Sequence, residues 1–88
     1  MELLNDMALF VEVAQARSFR RAADVAGVPS STLSRRISTL EKAIGLRLLH
    51  RTTRKVELTE AGQSLAPQLT AGFNHIFDAV NTILQERS

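Results

Sequence analysis

Residues 28–45 read VPSSTLSRRISTLEKAIG. Leu33, Ile37, Leu40 and Ile44 recur in steps of four, three and four, the stripe of a helix with one buried face. At about 100° per residue, Ser31, Arg35, Ser38 and Lys42 point away from that stripe. A solvated face ordinarily mixes acids with bases. Here Glu41 is the lone acid and lies on a flank, while small hydroxyls alternate with long cations. Small side chains and guanidinium groups on one outward face are what a helix needs to lie against a polyanion.

The preceding residues prepare this helix. Ser18 is a good N-cap for a helix over FRRAADVA, residues 19–26, with Phe19, Ala22, Ala23 and Ala26 facing inward. Gly27 suits the left-handed position that ends a helix. Pro29 favours entry into the next helix at its first turn, with Val28 or Ser30 as the N-cap. Two helices joined by a short glycine-bearing turn fit a helix-turn-helix, whose second helix reads a groove. Residues 4–16 read as an earlier helix with two apolar stripes. Leu4, Met7, Phe10, Val11 and Ala14 form one, and Leu9 and Val13 form another nearly opposite. Such a helix is either deeply buried or shared with a partner, and in so short a chain we expect Leu9 and Val13 to meet a partner.

After Gly45 the pattern changes. LRLLHR (46–51) and KVEL (55–58) read as short strands with TTR at the turn, a small hairpin or wing. Thr59 with Glu60 opens a long helix reaching about residue 86. In it Gly62, Ala66, Leu69, Phe73, Ile76, Val80 and Ile83 alternate by four and three, a heptad seam. Leu65, Phe77 and Leu84 widen the seam, and Pro67 is expected to bend the helix. A domain this small cannot cover the whole seam, so a second copy is expected to pair along it.

The chain has 88 residues, enough for one domain with a thin core. It has no cysteine, hence no disulfide framework, which fits a reducing cytoplasm. No segment has the length of a membrane span, and no secretion signal is visible, so no membrane association is expected. Net charge is only +2, but residues 17–55 hold ten Lys and Arg against Asp24 and Glu41, between acidic ends. Catalysis has little to work with. His50 and His75 lie in different elements without carboxylate partners, and no phosphate loop, metal-spaced cluster or nucleophile motif appears. Neither enzyme activity nor a metal or cofactor is expected.

A nucleic-acid surface accounts for the basic middle. Arg35, at the centre of the outward face, is suited to guanine through paired hydrogen bonds. Thr32 and Arg36 flank it on one side, Ser30 and Ser34 on the other. Each serine has capping or plain solvation as its alternative. Arg20 and Arg21 open the second helix, where amides and cations together suit a phosphate, with ordinary solvation as the alternative. Arg51, Arg54 and Lys55 frame the wing. A wing-tip arginine can enter a narrow minor groove, whereas Arg51 has an ion pair with Glu41 as its alternative.

The run SFRRAADVAGVPSSTLSRRISTLEKAIGLRLLHRTTRKVELTEAG closely resembles the N-terminal winged helix-turn-helix of LysR-type transcriptional regulators. Ser18-Phe19, Ala22-Ala23, Leu33-Ser34-Arg35, Ile37, Leu40-Glu41, Gly45, Leu48, Arg51 and Leu58-Thr59 with Ala61-Gly62 carry the pattern. The resemblance implies a mainly α fold: a winged helix-turn-helix over 1–58, of three helices plus a short β-hairpin wing, then a dimerisation linker helix over 59–88. It implies a bacterial, cytoplasmic regulator that binds double-stranded DNA at imperfect palindromic operators, with the third helix in the major groove and the wing in the minor groove. The family forms dimers and often tetramers, and a larger effector domain normally follows, so the chain reads as an isolated DNA-binding fragment. By position, Ser31, Thr32, Ser34 and Arg35 fall where the family contacts bases or nearby phosphates. Ser18, Arg36, Arg51 and Thr53 fall at phosphate positions, and Arg54 at the minor-groove arginine. Dimerisation falls to Leu9, Val13, Leu69, Phe73, Ile76, Val80 and Ile83. Where the family often has Ser-Gln, this chain has Pro29-Ser30, and the shorter Ser30 is suited to a phosphate or a cap. Another winged-helix regulator is the nearest competing reading. A protein-interaction module without DNA binding is a further one, which the central arginine-serine face and the basic wing oppose.

Overall fold

Phe10, Val13, Leu33, Ile37 and Leu40 are fully buried and hold three helices around one core. The structure is a computed structural model that describes residues 2–50 and 56–87. Its elements run α1 (Glu2–Ala16), α2 (Phe19–Ala26), α3 (Ser30–Ile44), β1 (Leu49–His50), β2 (Glu57–Leu58) and α4 (Glu60–Glu86). This is the mainly helical, winged helix-turn-helix class expected from the sequence.

The helix boundaries follow local chemistry. Ser18 Oγ accepts the Arg21 N–H at 3.2 Å and so satisfies one of the open amides of α2. Gly27 (φ 73°) and Gly45 (φ 75°) end α2 and α3 in the left-handed region, where a Cβ would be strained. Pro29 is the N-cap of α3, without a side-chain bond, so neither Val28 nor Ser30 fills that place. Ser30 is the first helical residue and is exposed.

Helix α1 departs from expectation. It packs against α2, α3 and α4 together, so both of its stripes find partners inside the chain. Val13 is wholly buried with Phe10, and Leu9 is half-buried against the same core. Of the stripe assigned to Leu9 and Val13, Val13 is therefore core in this fold and Leu9 keeps part of its surface, while Leu4 is 46% exposed. Burial on two sides, rather than a shared surface, explains the double stripe.

Among the described residues the ladder begins at Leu49 rather than at Leu46. Leu49 pairs with Leu58 and His50 with Glu57 in a two-stranded antiparallel ladder. The turn assigned to residues 52–54 lies outside the described residues. Helix α4 starts beside this ladder. Thr59 Oγ1 accepts the Gly62 N–H at 3.1 Å and donates to the Arg47 carbonyl at 2.6 Å, and the Thr59 N–H donates to the Leu48 carbonyl at 3.0 Å. Pro67 sits within α4, which continues as one helix beyond it.

The apolar seam of α4 divides in two. Gly62 and Ala66 are buried and Leu69 and Phe73 half-buried against the three-helix body, whereas Ile76, Val80 and Ile83 are each more than half exposed. Its 27 residues span about 40 Å at 1.5 Å per residue, which accounts for a molecule 50 Å long and 25 Å wide. Gly62 meets this chain's own backbone, since a Cβ there would sit 2.2 Å from the Leu48 carbonyl oxygen. Gly62→Ala must push α4 off that carbonyl. Denaturant unfolding is expected to show a loss of roughly 1–3 kcal/mol, opposite in sign to the usual helical gain from Gly to Ala.

Candidate nucleic-acid interface

The core stripe of α3 fixes what the rest of the helix presents. With Leu33, Ile37 and Leu40 wholly buried, Ser30, Ser31, Arg35 and Lys42 are exposed, and Thr32, Ser34, Arg36 and Ser38 are half-buried along the flanks. The outward face thus keeps its alternation of hydroxyls and cations. Thr39 Oγ1 donates back to the Arg35 carbonyl at 3.1 Å, a bond inside the helix that leaves the guanidinium outward. Arg20 and Arg21 are exposed on the first turn of α2, beside the Ser18 cap. Arg51, Thr53 and Arg54 lie outside the described residues.

Two acids that bond to α3 or lie on it, Glu41 and Asp6, are buried. Glu41 is only 6% exposed, and its carboxylate accepts the Leu48 N–H at 2.7 Å and the Leu49 N–H at 3.2 Å. A buried carboxylate needs such donors, and here they are the first amides of the wing. Arg47 Nε stands 3.8 Å away on a side chain that is 67% exposed, a weak tie. Asp6 of α1 is 3% exposed and accepts the Arg36 Nε–H at 2.5 Å. The surface that α3 offers is consequently more uniformly positive than its sequence.

Neither acid was singled out in this role from the sequence, although a signal existed. Asp6 falls four residues before Phe10 and seven before Val13, on the core side of α1, and Glu41 falls four residues after Ile37. A carboxylate in register with a buried stripe calls for a donor. What could not be read was the donor's identity, because Arg36 is thirty positions from Asp6. His50 and His75 are exposed in separate elements. Among the described residues no group of three His, Asp or Glu could hold a metal, and no helix is long and apolar enough to cross a membrane.

A three-helix body with a two-stranded wing and an outward basic helix defines a winged helix-turn-helix domain. The model described as "Bacterial regulatory helix-turn-helix protein, lysR family" matches residues 4–63, and the chain belongs to that family. An HTH-type transcriptional repressor of Pseudomonas aeruginosa is 52% identical over 64 residues, covering 73% of this chain and 20% of that protein. The crystal structure of the BenM DNA-binding domain with catB site 1 DNA superposes with a TM-score of 0.90 at 29% identity, over 97% of this chain and 96% of that one. The full-length Vibrio cholerae virulence activator AphB gives a TM-score of 0.81 at 32% identity, over 91% of this chain and 28% of that one. The chain spans about a fifth of the length of the curated relatives it matches.

The Glu41 anchor is open to test. Glu41→Ala removes the acceptor from two buried amides and is expected to destabilise the domain by roughly 1–3 kcal/mol for each one left without a partner. Glu41→Gln keeps an acceptor oxygen and should lose less. Chemical denaturation of the two variants measures the difference.

Proposed function

We propose that the chain is the sequence-specific, double-stranded-DNA-binding part of a cytoplasmic bacterial transcriptional regulator and carries no enzymatic activity of its own. The observation that carries this reading is the outward face of α3, where Ser30, Ser31, Arg35 and Lys42 are exposed while Glu41 is buried. A major groove admits one helix, and arginine reads guanine by paired hydrogen bonds. In this assignment Ser31, Thr32, Ser34 and Arg35 contact bases or nearby phosphates. Ser18, Arg20, Arg21, Ser30, Arg36, Arg51 and Thr53 hold the backbone. Arg54 enters the minor groove. The BenM complex with DNA supports the reading, since so similar a fold there meets DNA.

The assembly is proposed as a homodimer on an imperfect palindromic operator, with residues 1–58 as the DNA-binding unit and 59–88 as the pairing helix. Exposed Ile76, Val80 and Ile83, flanked by Phe77 and Leu84 at 60% exposure each, support pairing of two α4 helices. Leu9, Leu69 and Phe73, each half-buried, complete that surface, and the wholly buried Val13 leaves it. The larger size of the relatives supports an effector domain after this unit, with further pairing into tetramers in the full-length protein.

Two measurements test these assignments. Arg35→Ala is expected to cost roughly 1–3 kcal/mol on the best site and to relax base preference at one position per half-site. Arg20→Ala should weaken all sequences alike and lower the salt slope by about one. Site selection with both variants decides between base reading and backbone contact, and a wild-type response nearly flat in salt would favour a protein-interaction module instead. Ile76→Asp places a charge in the pairing surface and should weaken dimerisation by roughly 3 kcal/mol or more, read by sedimentation. Operator affinity should fall with it, because two half-sites about one helical turn apart need two linked domains.

A further inference from the structure

Three helices end alike, but one of them does so against its side chain's preference. The Arg17 N–H donates to the Val13 carbonyl at 2.8 Å, as Gly27 donates to Ala23 at 2.9 Å and Gly45 to Glu41 at 2.8 Å. All three residues are left-handed, Arg17 at φ 54°. Glycine takes that conformation freely, whereas a residue with a Cβ is strained in it. Packing does not explain the arginine, because Arg17 is exposed, and no hydrogen bond or ion pair of its side chain is found among the described residues. A cation at the end of α1 complements the helix dipole, but the exposed Gln15 offers an unstrained place for one. Position supplies the reason. Arg17 directly precedes the Ser18 cap, and it lines a cleft of about 560 Å³ with His50, Glu57 and Gln63, between the end of α1, the hairpin and the start of α4. It thus joins two places already assigned to the DNA backbone, the start of α2 and the wing. We propose that Arg17 is a further DNA-contact residue: its guanidinium takes a backbone phosphate between those held by the start of α2 and those held by the wing. This rests on the DNA-binding reading above and deepens it.

The turn gives this cation a fixed base. Its backbone is held behind by the bond to Val13 and ahead by the Ser18 cap, so only the side chain is left to order on docking. A charge-assisted bond to phosphate is among the stronger polar contacts, and it offsets the backbone strain only when DNA is bound. Strain kept in the free fold and repaid by a ligand is the pattern of a binding residue. Lysine carries the same charge on a flexible stem and can replace much of a single phosphate contact.

The test is a binding titration of the 88-residue chain on a selected operator between about 50 and 200 mM salt, with thermal melting alongside. Arg17→Gly relieves the left-handed backbone, so the melting temperature is expected to hold or rise. Operator affinity should nevertheless fall about three- to tenfold, and the magnitude of the salt slope should drop by about one. Arg17→Lys should keep the slope. Operators that carry a single neutral methylphosphonate in place of each phosphate in turn then locate the contact. At one position per half-site, wild type and Arg17→Gly should bind within about twofold of each other, because both changes remove the same contact. A purely structural role at the end of α1 would lower the melting temperature and leave the slope as it was. An unaltered slope in Arg17→Gly, or no phosphate whose neutralisation removes the difference, would overturn the proposal. Should Arg17→Gly melt below wild type, Arg17→Asn, which also tolerates the left-handed region, decides by the same slope. A wild-type chain without salt-dependent binding would overturn the DNA-binding reading and this inference together. A steep wild-type response with unaltered variants would overturn the role of Arg17 alone.

Discussion

The carboxylate of Glu41 is the point on which the arrangement of α3 and the wing depends. It leaves α3 on the core side and accepts two successive amides, from Leu48 and Leu49, at the place where the chain turns from helix to hairpin. Two buried amides thereby gain an acceptor, as buried backbone donors require. Leu48 and Leu49 are then wholly or almost wholly buried, which closes the core beneath the hairpin. The anchor thus fixes the angle between the two elements proposed to reach DNA.

A second set of contacts ties α4 to the same segment. Thr59 bonds the Arg47 and Leu48 carbonyls while capping its own helix, and Gly62 lets the first turn of α4 lie against the Leu48 carbonyl. Residues 47–49 are therefore held from one side by α3 and from the other by α4. A rigid junction here has a mechanical consequence. The direction in which α4 leaves the body is set by the elements that carry the basic face, so pairing two α4 helices would fix the spacing between two such faces. Affinity for a two-part site depends on that spacing more than on any added contact.

Burying acids also shapes the electrostatics. Glu41 and Asp6 are satisfied by the Leu48 and Leu49 amides and by Arg36, so neither opposes the cations of α3 at the surface. Net charge understates the attraction of such a surface for a polyanion, because what an approaching ligand meets is the local, exposed charge. Exposed acids lie on other elements, Asp24 on α2, Glu57 on β2 and Glu60 and Asp78 on α4, so none of them is part of α3.

Much of this was written in local sequence. The Leu33, Ile37, Leu40 stripe, the caps at Ser18 and Thr59 and the glycines at 27 and 45 each act over four residues or fewer, so the order of helices and the outward face of α3 were legible. The two short strands were legible in place but with wider bounds, since a two-residue ladder among the described residues leaves almost no period to read. Three things needed the tertiary structure. Val13 reads as an outer position until α2, α3 and α4 are all found packed against α1. Gly62 reads as one more position of a heptad until the Leu48 carbonyl is found against it. The division of the α4 seam into a covered half and an exposed half depends on where the three-helix body ends. Periodicity states which residues share a face. Only the packing of distant segments decides what that face meets, and the Asp6–Arg36 pair, thirty positions apart, is the clearest instance.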